Sequence, residues 1–168
     1  MNRLFKVTEN EKIIPDHSTV FTALGASSFG MLDRQENDFY ATDPIAVTEL
    51  LKVEDFAKDI WEPACGMGHI AEALKLAGHN VKCTDLFNYG YGETGIDFLK
   101  CTEKFEGDII TNPPFKMGLE FVYQALSLIP SGNRVAMLLR IQFLESTTRR
   151  ELFDKYPPQY IYIFQVAE

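Results

Sequence analysis

The stretch DIWEPACGMGHIAEALKLAG, from Asp59 to Gly78, decides the fold. Its first residues are typical of a short buried strand, and the glycines at positions 66 and 68 indicate a tight turn. The remainder has the apolar spacing of a helix, which Gly78 ends. A strand that runs through a glycine turn into a helix predicts the first half of a right-handed βαβ unit.

The neighbouring segments continue this alternation. Asp43 followed by Pro44 predicts the start of a helix, with the aspartate as its N-cap. After the quoted stretch, the sequence predicts strands at NVKCTDL (80–86), IDFL (Ile96–Leu99), DIITN (108–112), RVAMLLRIQFL (134–144) and YIYIFQVA (160–167), and a helix at KMGLEFVYQALSLIP (116–130). Strands that alternate with helices predict an α/β fold with a doubly wound, mostly parallel sheet. Residues 1–36 lack this pattern, and we expect an irregular N-terminal arm there.

Composition limits the classes of function. The chain has 168 residues, 16 basic and 24 acidic, and a net charge of −8, which argues against nucleic-acid binding driven by overall charge. The net charge does not exclude a local basic face in the last quarter, where Arg134, Arg140, Arg149, Arg150 and Lys155 fall, but a solvated helix face explains each of these charges more simply. The scattered cysteines and histidines form no disulfide framework and no metal-ligand cluster, and the N-terminal residues lack the apolar region of a secretory signal. These features predict a cytoplasmic protein without a metal.

The glycine turn predicts a nucleotide-type cofactor. Gly66, Gly68 and Ala71 match the pattern G-x-G-x-x-G/A, and Asp85 follows about 20 residues later, where an acid that binds a ribose is expected. The pattern does not separate a dinucleotide from another cofactor that contains adenosine. Glu62 favours the latter, because a carboxylate before the turn would repel a pyrophosphate but would suit an ammonium group.

The sequence TNPPF, from Thr111 to Phe115, follows the strand DIIT and predicts chemistry at an amine. The lone pair of an exocyclic amine on an aromatic base is delocalised into the ring, so the amine is a poor nucleophile. Two acceptors on its hydrogens, the Asn112 side-chain oxygen and the Pro113 carbonyl, would free that lone pair. Pro113 and Pro114 have little φ freedom to lose, and Phe115 offers a ring on which a base can stack.

Together these motifs resemble a known family. In order and spacing, FYATDP, EPACGMG, TDL, IDFL and TNPPF are similar to the S-adenosylmethionine-dependent adenine-N6 DNA methyltransferases, above all the small enzymes of phage and prophage type. The resemblance covers residues from about 34 to 164. It implies the Rossmann-like class I methyltransferase fold in a catalytic domain over residues 37–168, S-adenosyl-L-methionine as cofactor, and DNA as partner, with the target adenine flipped out of the helix. It also implies the cytoplasm of a bacterial or phage-infected cell.

The resemblance assigns a role to each matching residue. The cofactor would be held by Tyr40 and Thr42 at its methionine end, Glu62 at its amino group, Gly66 and Gly68 through close approach, Asp85 at its ribose, and Asp97 with Phe98 at its adenine. The catalytic motif would be Asn112, Pro113, Pro114 and Phe115.

The sequence departs from this family in two ways. No segment is long enough for the recognition domain that most relatives carry, and the final antiparallel strand of the family's sheet has no counterpart. We therefore expect a truncated form, or a sheet that self-association or another chain completes. Three functions remain alternatives: methyl transfer to RNA or to a protein glutamine, a nicotinamide-dependent oxidoreductase, and a cofactor-binding remnant without activity.

Overall fold

The computed structural model describes residues 3–7 and 42–165. The chain forms two compact units, one from Arg34 to Arg140 and one from Met1–Asp33 together with Ile141–Glu168. The predicted limit between an N-terminal arm and a catalytic domain, at residue 36, falls outside the described residues and stays a prediction. None of the described helices is long and apolar enough to span a membrane.

The described strands and helices alternate through most of the chain. The strands are β1 (Arg3–Val7), β2 (Asp59–Glu62), β3 (Asn80–Asp85), β4 (Glu93–Thr94), β5 (Asp108–Thr111), β6 (Val135–Met137) and β7 (Ile161–Gln165). The α-helices are α1 (Pro44–Leu50), α2 (His69–Leu76), α3 (Gly118–Leu128) and α4 (Arg150–Lys155).

Unit 34–140 contains a five-stranded sheet in the order β4-β3-β2-β5-β6. Every neighbouring pair in it is parallel. The chain builds outward from β2 to β4 on one side and then returns to add β5 and β6 on the other. The predicted doubly wound, parallel α/β sheet is therefore confirmed, and the order of its strands reverses between β2 and β5.

The central strand β2 buries both of its faces. Ile60 is 0% exposed and packs in a cluster with side chains from α1 and α2, whereas Trp61, 2% exposed, packs in a second cluster with side chains from α3. Successive side chains of a strand point to opposite faces, so helices cover the sheet on both sides. Because helices cover both faces, a ligand can reach the central strands of the sheet at their ends.

Local signals fix the first helices as expected. The Asp43 carboxylate accepts a hydrogen bond from the Ile45 backbone at 3.0 Å, and Pro44 occupies the first turn of α1. Gly78, with φ of 97°, follows the end of α2. Both predictions are confirmed, because an N-cap acceptor and a left-handed glycine satisfy helix ends by local geometry alone.

Two predicted strands are wrong in extent or type. Ile96–Leu99 is not a strand: Asp97 accepts a hydrogen bond from the Leu99 backbone and caps a 3-10 turn at Phe98–Lys100. The third strand of the sheet is instead the short β4, which precedes this segment. The predicted strand over 134–144 is also shorter, because only Val135–Met137 pairs with β5.

The second unit has its own small sheet. Its strand β7 pairs antiparallel with β1, in a register that sets Phe5 opposite Ile163. Part of the N-terminal segment predicted to be irregular is thus a strand, and it gives β7 a backbone partner. Within the described residues the five-stranded sheet contains no antiparallel strand. Completion of that sheet by self-association stays a prediction.

Candidate functional site

The carboxyl ends of three adjacent strands bring the predicted site together. Glu62 ends β2, Asp85 ends β3, and Asn112 directly follows β5. Since β2 lies between β3 and β5, these residues share one edge of the sheet. In open α/β sheets, ligands bind at this edge, where the strand order reverses.

The glycine turn joins β2 to α2 in a left-handed backbone conformation. Gly66 has φ of 52° and Gly68, the N-cap of α2, has φ of 85°. The Gly68 backbone donates to the Cys65 carbonyl at 2.7 Å, and the Cys65 backbone donates to the Thr84 carbonyl at 3.1 Å. These bonds close the turn and attach it to β3, so its shape is built into the fold.

Gly68 is also in contact with an aromatic ring that sequence reasoning missed. A Cβ added to Gly68 would lie 2.5 Å from the ring of Tyr91. The Tyr91 hydroxyl is hydrogen-bonded to Glu72 and accepts a bond from Lys75 at 2.6 Å, both on α2. The glycine therefore accommodates Tyr91, whatever its role toward a cofactor. The sequence NYGYG around Tyr91 was the available signal.

Asp85 holds the glycine turn as well as ending β3. One of its carboxylate oxygens accepts from the Gly66 backbone at 2.8 Å, and the other accepts from the Phe87 backbone at 2.9 Å. The side chain is buried, at 7% exposed. Each carboxylate oxygen has a second lone pair, so the predicted ribose contact is compatible with these two bonds.

Glu62 is a buried acid whose surroundings suit a cation. It is 1% exposed, and among the described residues its Oε2 atom has no hydrogen-bond partner. Burial raises the pKa of Glu62 to about 9, opposed by the Ala71 backbone N–H, reinforced by nearby Asp85 and opposed again by Lys75. An ammonium group would supply a hydrogen-bond donor to Oε2 and a positive charge to balance the carboxylate. Glu62 thus fits the amino group of S-adenosylmethionine.

The two residues predicted to contact the cofactor's adenine lie in different environments. Asp97 is partly exposed; it forms an ion pair with Lys100 at 2.8 Å, and this contact lowers the pKa of Asp97. Phe98 is only 2% exposed, and its ring packs edge-on against Trp61 with ring centroids 5.2 Å apart. The Phe98 ring is therefore part of the core. Its backbone carbonyl accepts from Gln124 at 2.9 Å and from the Cys101 backbone at 3.1 Å, so a cofactor contact by this residue would use its backbone N–H.

Asn112 is oriented by a residue from the start of α1. Its Nδ2 atom donates to the Thr42 hydroxyl at 2.9 Å, and Thr42 is 9% exposed. In this arrangement the amide nitrogen faces Thr42, and the Asn112 oxygen occupies the opposite end of the amide. The predicted residues Thr42 and Asn112 are thus brought together, whereas Tyr40 lies outside the described residues.

The rest of the predicted catalytic motif leaves β5 along a path that two prolines restrict. Pro113 is buried, Pro114 is extended with ψ of 124°, and Phe115 begins a 3-10 turn. The guanidinium carbon of Arg140 lies 4.3 Å from the centroid of the Phe115 ring. The expected stacking surface therefore carries a cation, a contact that sequence reasoning did not anticipate.

Three of the basic residues in the last quarter of the chain, Arg134, Arg149 and Arg150, contact other groups of the protein. Arg134 forms an ion pair with Glu54 at 2.8 Å, and Arg150 approaches Asp154 at 3.6 Å. Arg149 donates to the Phe143 carbonyl at 3.1 Å. These three cations thus take part in contacts within the protein.

The fold is similar to that of a solved structure from Pyrococcus horikoshii, which is described as a "putative RNA methyltransferase". The TM-score is 0.53 at 15% sequence identity, and the similarity covers 76% of this chain and 84% of that chain. At this identity the similarity concerns the fold, and it agrees with the predicted Rossmann-like α/β architecture. The sequence matches no protein-family model and has no significant match among curated proteins.

Proposed function

We propose that this chain is a methyltransferase that moves the methyl group of S-adenosylmethionine to the exocyclic N6 amino group of adenine in DNA. The observation that carries the proposal is the hydrogen bond from Asn112 to Thr42 at 2.9 Å, at the same sheet edge as the glycine turn. This bond supports the proposal because it engages the nitrogen end of the amide, which would leave the oxygen end of the NPPF motif to accept from a target amine.

Three acidic residues would hold the cofactor. Glu62 would pair with the methionine ammonium, Asp85 would accept from the ribose hydroxyls, and Asp97 would accept from the adenine amino group. When bound, S-adenosylmethionine supplies an electrophilic methyl group on a sulfonium. Because Asp85 also ties Gly66 to β3, the same carboxylate would position both the turn and the ribose.

The NPPF motif would prepare the amine for attack. The Asn112 oxygen and the Pro113 carbonyl would each accept one N–H of the target amine, which returns its lone pair to nitrogen. The nitrogen would then form its bond to the methyl carbon as the carbon–sulfur bond breaks, and the extra proton would pass to water. Catalysis of this kind depends on positioning and preorganised dipoles.

A methyltransferase for RNA or for a protein glutamine would use the same chemistry. Both present a planar amino group, and the solved structure of similar fold is described as a "putative RNA methyltransferase". The net charge of −8 disfavours either nucleic acid relative to a protein substrate. We prefer DNA because the NPPF motif with this order of cofactor segments resembles the adenine-N6 DNA enzymes. A target base in duplex DNA would have to be extruded to reach Asn112.

The experiment is transfer of a tritiated methyl group to separate DNA, RNA and protein fractions. The proposal predicts label in DNA, released on digestion as N6-methyladenine. Label confined to RNA or to protein would reject DNA as substrate while keeping methyl transfer. Binding of NADH without binding of S-adenosylmethionine would reject the methyltransferase itself in favour of an oxidoreductase.

A further inference from the structure

Arg140 stands next to the NPPF motif at the carboxyl edge of the sheet. It follows β6, which ends at Met137, and its side chain is exposed. Its guanidinium carbon lies 4.3 Å from the centroid of the Phe115 ring. A guanidinium at this distance is attracted by the face of the ring, which limits the orientations of the side chain.

Arg134 precedes the same strand and provides a contrast. It lies at the amino end of β6, where its Nη1 atom donates to Glu54 at 2.8 Å. Arg134 is thus engaged with a carboxylate at the opposite end of the sheet, whereas Arg140 is engaged with an aromatic ring of the candidate site. Arg134 is therefore a matched control: an exposed arginine next to the same strand, at the opposite end of the sheet.

A nucleic-acid strand at this site needs a local cation. With a net charge of −8, the protein as a whole repels polyanions, so the strand must be held by charges close to its point of entry. A base that reaches Asn112 brings its own phosphate groups within one nucleotide of Phe115. A planar guanidinium binds a phosphate through two parallel N–H bonds, and a ring that fixes its orientation reduces the entropy lost on binding.

We propose that Arg140 binds a phosphate group of the DNA strand beside the base that Asn112 receives, with the Phe115 ring holding the guanidinium in place. This inference rests on the proposed function. The guanidinium stays on the Phe115 ring in this arrangement, so the phosphate is held beside the ring while Asn112 receives the base.

The test is the salt dependence of DNA binding, measured by fluorescence anisotropy with a fluorescein-labelled duplex that contains adenines, in the presence of S-adenosylhomocysteine. Loss of one phosphate contact reduces the slope of log Kd against log[NaCl] by about 0.9. We expect this reduction in Arg140→Gln and a wild-type slope in Arg134→Gln. Arg140→Lys keeps the charge but loses the planar stack, so it should keep the slope and bind more weakly than the wild type.

The outcomes separate this inference from the proposed function. A wild-type slope in Arg140→Gln, with a thermal transition like that of the wild type, would overturn the role of Arg140 alone. An equal reduction in Arg134→Gln would also overturn it, because the effect would then be one of overall charge. A wild type that neither binds nor methylates the duplex would reject both.

Discussion

The Asn112 side chain donates a hydrogen bond to the Thr42 hydroxyl at 2.9 Å, although the two residues are 70 positions apart in the chain. Thr42 immediately precedes the Asp43 cap of α1, so the cap that begins the helix also places this hydroxyl. The bond joins a predicted cofactor segment to the predicted catalytic motif. The orientation of the Asn112 amide therefore depends on the position of α1.

Replacement of Thr42 by valine should impair turnover. Thr42→Val preserves the shape of the side chain but removes the acceptor, so the Asn112 amide can rotate away from its catalytic orientation. Small misplacements of reacting groups cost up to about 100-fold in rate, and we expect a kcat reduced by about tenfold or more. Steady-state kinetics on DNA measure this change. Thr42→Ser keeps the hydroxyl as a control, and an unimpaired Thr42→Val would show that the bond is dispensable.

The raised pKa of Glu62, about 9 because of burial, predicts a dependence of stability on pH. An unfolded glutamate releases its proton near 4.5, so between these values the folded chain holds a proton that the unfolded chain does not. The contribution of Glu62 to stability is therefore complete below a pH of about 4.5 and is lost as the pH rises toward about 9. Urea unfolding should therefore show stability falling with pH more steeply in the wild type than in Glu62→Gln. Parallel curves for the two proteins would contradict a raised pKa.

The affinity for cofactor should rise with pH, whereas the stability falls. If the methionine ammonium pairs with an ionised Glu62, binding must displace the proton of the free protein, and the affinity should rise by up to about tenfold per pH unit below the raised pKa. Calorimetry with S-adenosylhomocysteine in buffers of different ionisation enthalpy would detect the released proton. Glu62→Gln should bind more weakly, without proton release. Wild-type binding that releases no proton would exclude this pairing.

A methyl group at Gly68 should destabilise the glycine turn for two separable reasons. Gly68→Ala places an L-residue at φ of 85° and brings its Cβ within 2.5 Å of the Tyr91 ring. The left-handed conformation alone costs about 1–2 kcal/mol. Gly78→Ala is the matched control, because φ there is 97° and no atom lies within 4 Å of the added Cβ. We expect a larger loss of the free energy of unfolding for Gly68→Ala than for Gly78→Ala.

The double variant Gly68→Ala, Tyr91→Ala isolates the contact with the ring. Removal of the ring should cancel the excess cost of the alanine, so that the two changes together destabilise by less than the sum of their separate effects. Additive effects would mean that the ring moves aside freely and that Gly68 serves only the backbone conformation.

Sequence reasoning succeeded where the determining interactions are local. The cap of α1 at Asp43, the end of α2 at Gly78 and the alternation that gives a parallel sheet all follow from residues a few positions apart. The three strand ends that form the candidate site follow in turn, because parallel strands align their carboxyl ends at one edge of the sheet.

The remaining features depend on contacts between distant residues. The family resemblance assigns Asp97 and Phe98 to the adenine of the cofactor, yet the Phe98 ring packs in the core against Trp61. An aromatic residue in a sequence is compatible with either position. Arg140 falls in a segment that resembles a continuous strand, and no local pattern predicts its contact with the Phe115 ring. Strand β7 was recognised, but its partner β1 lies in a segment without strong periodicity.

The central claim is that the Asn112 oxygen prepares an adenine amino group for methylation, and one measurement tests it most directly. Duplex DNA is incubated with S-adenosylmethionine, digested to nucleosides and assayed for N6-methyladenine by mass spectrometry, with the wild type, Asn112→Ala and Asn133→Ala. Asn133 is the matched control, because its amide donates to Asp108 at 3.2 Å, next to the amino end of β6. The account predicts product from the wild type and from Asn133→Ala, and none from Asn112→Ala, whose affinity for S-adenosylhomocysteine stays within a few-fold of the wild type. An Asn112→Ala protein that retains most of the wild-type rate would contradict it.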